Sequence, residues 1–321
     1  MYCLCQLFRM MRLNSIKFKA ESFWKTKYNI GCIEHLRRHS DSQDNRQQKI
    51  MARGLPKKKQ IPGVKHIVLV ASGKGGVGKS TTAVNLAAAL AEMKPSLQVG
   101  LLDADVFGPS VPLMMNLSGE PLLTSDNLMI PLVNYGVKSM SMGYLVSQES
   151  AVMWRGLMVM QAVNKLMFEV DWGPTDVLVV DTPPGTGDTH LSLVQNLVVS
   201  GALVVTTPQQ MALQVTRRGV TMFRKLQVPL VGIVQNMGSV VCSNCSHRNE
   251  LFGPAIRKFA KELDIEVVQD IPLHPDISTC GDEGKPVVIS HPSSPIASSY
   301  RDLAHRVKTF LKLESSTSET I

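Results

Sequence analysis

The residues most specific for chemistry form one run, Gly73-Lys74-Gly75-Gly76-Val77-Gly78-Lys79-Ser80, continued by Thr81. It follows a short β-branched stretch, His66–Ala71. It opens a segment, Lys79 to about Met93, with Ala and Leu at helical spacing. Glycines at these positions let the backbone wrap close to phosphate oxygens and present N–H donors. The dipole of the following helix adds positive potential. Lys79 is expected to reach the β- and γ-phosphates of ATP, and the Ser80 hydroxyl to ligate Mg²⁺. Gly73, Gly75 and Gly78 also fit the Gly-x-Gly-x-x-Gly loop of dinucleotide sites. The Lys-Ser pair argues against that reading, since a dinucleotide site needs neither residue there. So does a later strand that ends in an acid, Asp181.

Further candidates stand at the ends of apolar runs. Gln98–Asp103 ends in Asp103-Ala104-Asp105, followed by Gly108-Pro109. Two acids at alternate positions leave a strand end toward the side of the sheet where ligands bind. Asp105 is expected to orient the attacking water and Asp103 to support the metal from behind its direct ligands. The alternative is that either acid caps the turn. Asp181, after Asp176–Val180, is placed to hold the Mg²⁺ shell. In the loop that follows, Gly185 can offer its N–H to the γ-phosphate, and Gly187 lets the loop move when that phosphate leaves. Pro208 follows Ala202–Thr206 and Asn236 follows Leu230–Gln235, so both fall at strand C-termini, where the Asn236 amide can read an adenine edge.

A second kind of chemistry sits just beyond. Cys242-Ser243-Asn244-Cys245, with His247 two residues on, has the spacing of a soft-metal or cluster chelate. Two thiolates do not complete a four-coordinate site, so one chain is insufficient. Two chains related by a two-fold axis supply four cysteines, the ligand set of a [4Fe–4S] cluster or of zinc. A zinc site completed by His247, a redox dithiol and two unreactive thiols remain as alternatives. Cys280 reads as an incidental thiol.

Strands alternating with helices must position these groups. Helices are expected at Gly156–Val170, Ala212–Leu226, Ala255–Leu263 and Pro295–Leu313, the last opened by Ser293-Ser294-Pro295, with a further strand at Glu266–Gln269. Continuous apolar strands between helices imply an α/β fold with a mostly parallel sheet covered on both faces, here a three-layer P-loop NTPase. No run reaches the ~18 apolar residues of a membrane helix, although peripheral membrane contact is left open. The formal charge of +8 suggests nucleic-acid binding until it is located. Residues 1–60 hold 14 Lys and Arg against 4 Asp and Glu, and the rest of the chain 20 against 22. The excess is a leader, and the body, residues 61–313, is close to neutral, so no nucleic-acid partner is expected. Arg9, Arg12, Lys17 and Lys19 among apolar residues, with no acid before Glu21, fit a mitochondrial presequence. A basic tail, or an upstream extension of a chain starting at Met51, are the alternatives. Residues 39–50 read as a linker and 314–321 as a disordered tail. Cys3, Cys5 and Cys32 lie in the leader and are assigned no chemistry.

Lys74, at the second loop position, resembles the deviant Walker A loop of dimerising ATPases. That resemblance implies that it reaches across a dimer to the partner's nucleotide. Taken in order, GKGGVGKST, DADVFGPSVP, VDTPPGTGD, TTPQ, QNM and the Cys pair followed by LFG resemble the Mrp/Nbp35 ATPases over about residues 60–312. With the leader and VMWRGLMVMQAV, the chain is similar to the mitochondrial branch of that family. The resemblance implies a slow ATPase and a homodimer bridging a labile [4Fe–4S] cluster through Cys242 and Cys245. It further implies delivery to apo-proteins of respiratory complex I in the mitochondrial matrix, and it favours cluster over zinc. The contrasting reading is a partner-targeting or partitioning ATPase of the same fold with structural zinc at the Cys pair. The chain departs from the family at Gln210 and Val215, where acids are usual, and at Thr182, where Met is usual. The first change removes acid beside the expected base site.

Overall fold

The computed structural model describes residues 58–313 apart from 94, 95, 146–155, 186, 243 and 246. The presequence, linker and C-terminal tail expectations therefore lie outside the described residues, as do Thr186 and Ser243. In chain order the strands are β1 (Val64–Ser72), β2 (Val99–Asp103), β3 (Leu132–Asn134), β4 (Val137–Ser141), β5 (Thr175–Asp181), β6 (Gly201–Thr206), β7 (Leu230–Val241), β8 (Arg248–Glu250) and β9 (Val267–Leu273). The helices are α1 (Lys79–Met93), α2 (Val111–Met114), α3 (Gly156–Phe168), α4 (Asp188–Asn196), α5 (Gln210–Lys225), α6 (Ala255–Glu262), α7 (Pro275–Asp282), α8 (Val287–Ser290) and α9 (Pro295–Phe310).

The nine strands form one sheet in the order β3-β4-β2-β5-β1-β6-β7-β8, with β9 also paired to β7. The inner pairs are parallel; β3 and β8 are antiparallel to their neighbours. Alternate residues of a strand face opposite sides, and here both sides are buried. Ile67, Leu69 and Ala71 of β1 enter one apolar cluster with residues of α3, α4, α5 and α6. Val68 and Val70 enter the other, with α1, α8 and α9. That double burial is why the strands read as unbroken apolar runs.

From the central strands the chain leaves in opposite directions: β1 crosses through α1 to β2 on one side, and β6 through α5 to β7 on the other. Right-handed crossovers then put α1 and α5 on opposite faces and open a crevice at the strand C-termini. The body begins slightly before residue 61, because Lys59 pairs with Leu197 and its N–H bonds the Asn196 carbonyl at 2.7 Å. Helix α9 starts as expected, with Ser294 accepting from the Ala297 N–H at 3.1 Å and Pro295 in the first turn. Among the described residues no helix is long and apolar enough to cross a membrane.

Candidate functional site

Parallel register sets the floor of the crevice. Val70 is the partner of Asp181, and Asp181 the partner of Asp103, so the loop after β1 and both acids meet at one level. The loop turns through Gly76 at φ +76° and Gly78 at φ +85°. Those values favour glycine, and the turns bring Lys79 back over β5. Its ammonium donates to Asp181 Oδ1 at 2.5 Å and to Ser80 Oγ at 3.1 Å. Lys79 is 6 % and Asp181 0 % exposed. Asp181 Oδ2 is buried with no hydrogen-bond partner. Burial raises the Asp181 pKa, and Lys79 pulls against that rise.

Asp103 is also buried. Burial first, and the Asp181 charge second, push its pKa up to about 7, while Lys79 and the hydrogen bonds lower it. Its Oδ1 accepts from the Asp105 N–H at 3.1 Å. Its Oδ2 accepts from the Val111 N–H at 3.3 Å and the Ser141 hydroxyl at 3.0 Å. Asp103 thus fastens both ends of the 104–110 turn, the capping role, while remaining Asp181's neighbour. Asp105 is half-buried above it, and its charge adds to the rise at Asp181. Lys74, Gly75 and Gly76 are exposed, and the Lys74 carbonyl accepts from the Ser72 hydroxyl at 3.0 Å. Thr81 is half-buried in the first turn of α1, and its carbonyl accepts from Asn85 at 2.9 Å.

Two groups expected at the nucleotide are engaged within the chain itself. The Gly185 N–H, assigned to the γ-phosphate, is given to the Ser72 carbonyl at 2.9 Å, with Gly185 at φ +91°. It is available to a phosphate only after the 182–187 loop leaves β1. Asn236 does not follow a strand, because β7 continues to Val241. Its amide Nδ2 donates to the Val77 carbonyl at 2.8 Å, and the residue is 5 % exposed. The donor expected to read adenine is here fastened to the phosphate loop. Pro208 is buried in the turn between β6 and α5.

His190 carried no motif signal. It lies in α4, 2 % exposed, and donates from Nδ1 to the Pro183 carbonyl at 3.3 Å. Its ring tilts 59° to Phe223. Burial lowers its pKa to about 4, so it is a neutral wedge under the loop that follows Asp181. Thr182, at the family's Met position, is buried and donates to the Val70 carbonyl from both N–H and hydroxyl at 3.1 Å.

The cysteine pair tops a hairpin. β7 and β8 pair Val241 with Arg248, and the Cys242 N–H closes the loop on the His247 carbonyl at 2.9 Å. Cys242 is half-buried and Cys245 exposed. The backbone N–H groups of Cys245 and then Asn244 face the Cys242 sulfur and lower its pKa. Such N–H donors stabilise a thiolate, the form that binds metal. Among the described residues no group of three or more His, Cys, Asp or Glu is gathered to hold a metal. Cys280 is buried and contacts His291 Nδ1 at 3.4 Å, away from the hairpin.

The family model described as "ParA: NUBPL iron-transfer P-loop NTPase" matches residues 63–308. The chain belongs to that family. It is 53% identical over 285 residues to the mouse (Mus musculus) protein named "Iron-sulfur cluster transfer protein NUBPL", covering 88% of this chain and 89% of that one. It is 52% identical over 254 residues to the Arabidopsis thaliana "Iron-sulfur protein required for NADH dehydrogenase, mitochondrial", covering 79% and 81%. Among solved structures it resembles an Archaeoglobus fulgidus nucleotide-binding protein in complex with ADP. The TM-score there is 0.64 at 31% identity, over 75% of this chain and 94% of that one. As an iron-transfer P-loop NTPase, the chain accounts for two features at once: the loop at Gly73–Ser80 and a thiol pair outside the crevice.

Proposed function

We propose that this protein is an ATP-dependent carrier of iron–sulfur clusters, working in the mitochondrial matrix and delivering its cargo to apo-proteins of respiratory complex I. The cysteine hairpin carries the reading. Two thiols, one primed by backbone N–H groups, stand at an exposed tip with half a ligand set. The same pair from a second copy completes four thiolates, enough for one [4Fe–4S] cargo. The names of the mouse and Arabidopsis relatives support the cargo and the organelle, and the basic leader supports the address.

In the crevice the N–H groups of Gly75–Ser80 cradle the phosphates, and Lys79 neutralises them. Ser80 Oγ and the unpartnered Asp181 Oδ2 are hard oxygen donors side by side, which suits Mg²⁺. Bound there, Mg²⁺ supplies charge neutralisation at the β- and γ-phosphates. Asp105 orients a water toward the γ-phosphate. Asp103 holds the turn that carries Asp105. Exposed Lys74 serves the second copy's nucleotide, as an arginine finger does.

Anaerobic reconstitution with iron and sulfide tests the assignment. The wild-type protein is expected to hold about four irons per two chains, the composition of one shared [4Fe–4S] cluster, and to double its mass on sizing. The Cys242→Ser/Cys245→Ser variant is expected to hold none. Full iron in that variant, or zinc in place of iron in the anaerobically purified protein, overturns the reading.

A further inference from the structure

One strand links the two sites: β7 touches the phosphate loop and leads into the cysteine hairpin. Asn236 of β7 bonds the Val77 carbonyl of the phosphate loop. It lies so close to Gly78 that a Cβ there would meet its Nδ2 at 2.1 Å. Six residues later, at roughly 3.3 Å each, the chain reaches Cys242. Between them the strand is irregular. Met237 has φ +57°, a left-handed conformation that crowds a side chain. The pairing with β9 shifts register between Asn236 and Val240. Such a bulge lets a strand change direction while the ladder on either side survives.

Beyond the bulge, side chains pin the hairpin to the sheet. Arg248 opens β8 opposite Val241, and its Nη2 donates to Asp270 Oδ2 at 2.5 Å. Asp270 belongs to β9 and is the partner of Gln235, the residue before Asn236. The other carboxylate oxygen, Oδ1, is buried and unpartnered. The Gln235 side chain faces the same carboxylate from β7. Gln235 is itself buried, and Gly238 passes so near that a Cβ there would meet Gln235 Nε2 at 2.2 Å. The Leu251 N–H, just past β8, closes on the Gly238 carbonyl at 2.9 Å. A half-exposed ion pair such as Arg248–Asp270 adds little stability, so its consequence here is geometric: it sets where the hairpin sits relative to the bulge.

We propose that Asp270 and Arg248 are positioning residues for the cysteine hairpin. With Gln235 and the β7 bulge, they make the state of Cys242 and Cys245 depend on whether nucleotide fills the phosphate loop. The inference rests on the two sites assigned above and names the regulation of one by the other. Phosphate in the loop draws its N–H groups inward and moves the Val77 carbonyl. Asn236 is buried against Gly78 and has no room to absorb that shift, so β7 takes it up at Met237. The Asp270–Arg248 strut transmits it to the hairpin, which is otherwise held by its pairing with β8, the Leu251–Gly238 bond and the pairing of Val240 with Leu273 of β9.

The test needs no cluster. Iodoacetamide alkylation of the full apo-chain, resolved peptide by peptide, is compared with and without Mg–ATP, with buried Cys280 as the internal reference. Nucleotide is expected to change the rate at Cys242 and Cys245 about fivefold, the low end of measured site couplings. Asp270→Asn and Arg248→Gln are each expected to abolish that change while binding a fluorescent ATP analogue as the wild type does. The exchange Arg248→Asp/Asp270→Arg is expected to restore it. A nucleotide response in either single variant equal to the wild type's, or no response in the wild type, overturns the relay. Failure of reconstitution to load iron overturns the carrier reading instead, and the alkylation result stands apart from it.

Discussion

Asp103 and Asp181 end neighbouring strands in one register, both buried, with Lys79 as the cation acting on each. Two acids so placed cannot both ionise cheaply while the crevice holds no further positive charge. With the Asp103 pKa at about 7 in the fold and near 4 in the unfolded chain, the sign follows. Below pH ~4 both states carry the proton. Between about 4 and 7 only the folded chain keeps it, so rising pH favours unfolding by at most about 1.4 kcal/mol per unit, and the loss levels off above 7. Thermal midpoints of the nucleotide-free protein are therefore expected to fall from pH 5 to pH 7, and more shallowly in Asp103→Asn. Equal slopes would assign the dependence to Asp181 or elsewhere. The acids themselves were legible in the sequence because both follow apolar runs. Asp103's three hydrogen bonds were not, because one donor, Ser141, lies 38 residues away on a strand that composition did not reveal.

The phosphate loop depends on an element remote in sequence. A Cβ on Gly73 would meet the Thr216 nitrogen at 2.8 Å and the Val215 carbonyl carbon at 2.9 Å, both backbone atoms of α5. Backbone cannot swing aside as a side chain can, so Gly73→Ala must push α5 off the loop. A loss of about 1–3 kcal/mol is expected, with weaker nucleotide binding. Gly75, with nothing within 4 Å of a Cβ, should accept Ala with little change in stability. Thermal unfolding with a fluorescent nucleotide titration reads both, and equal behaviour of the two variants would count against the α5 contact. Central strands and long helices were legible because double burial and helical periodicity mark composition directly. β3 and β4 were not: they are three and five residues long, with Lys138, Ser139 and Ser141 among them. β8, Arg-Asn-Glu, is polar and exposed, and it exists only because β7 runs on to Val241 and offers it an edge. The mixed sequence of α4 hid that helix, and with it His190 beneath the loop after Asp181.

At the scale of the whole molecule, charge and fold are separated along the chain. The basic excess lies before residue 61, and the remainder is two units acidic. A chain beginning at Lys57 should pass a heparin column at low salt that retains the full-length protein, because polyanion affinity grows with the cations available to it. Equal retention would place a basic surface on the body. Residue types and their spacing specify the chemistry available: a phosphate loop, acids at strand ends, one thiol pair, and a leader set apart by its charge. These were readable because each depends on residue type and local spacing. How those parts are tied together follows from long-range contacts. Asn236 grips the phosphate loop instead of standing free, the Gly185 N–H is held by β1, and Asp270 of β9 braces the hairpin through Arg248. These bonds join residues 22 to 159 positions apart, and only the register of the paired strands, set by packing of the sheet, brings them within reach.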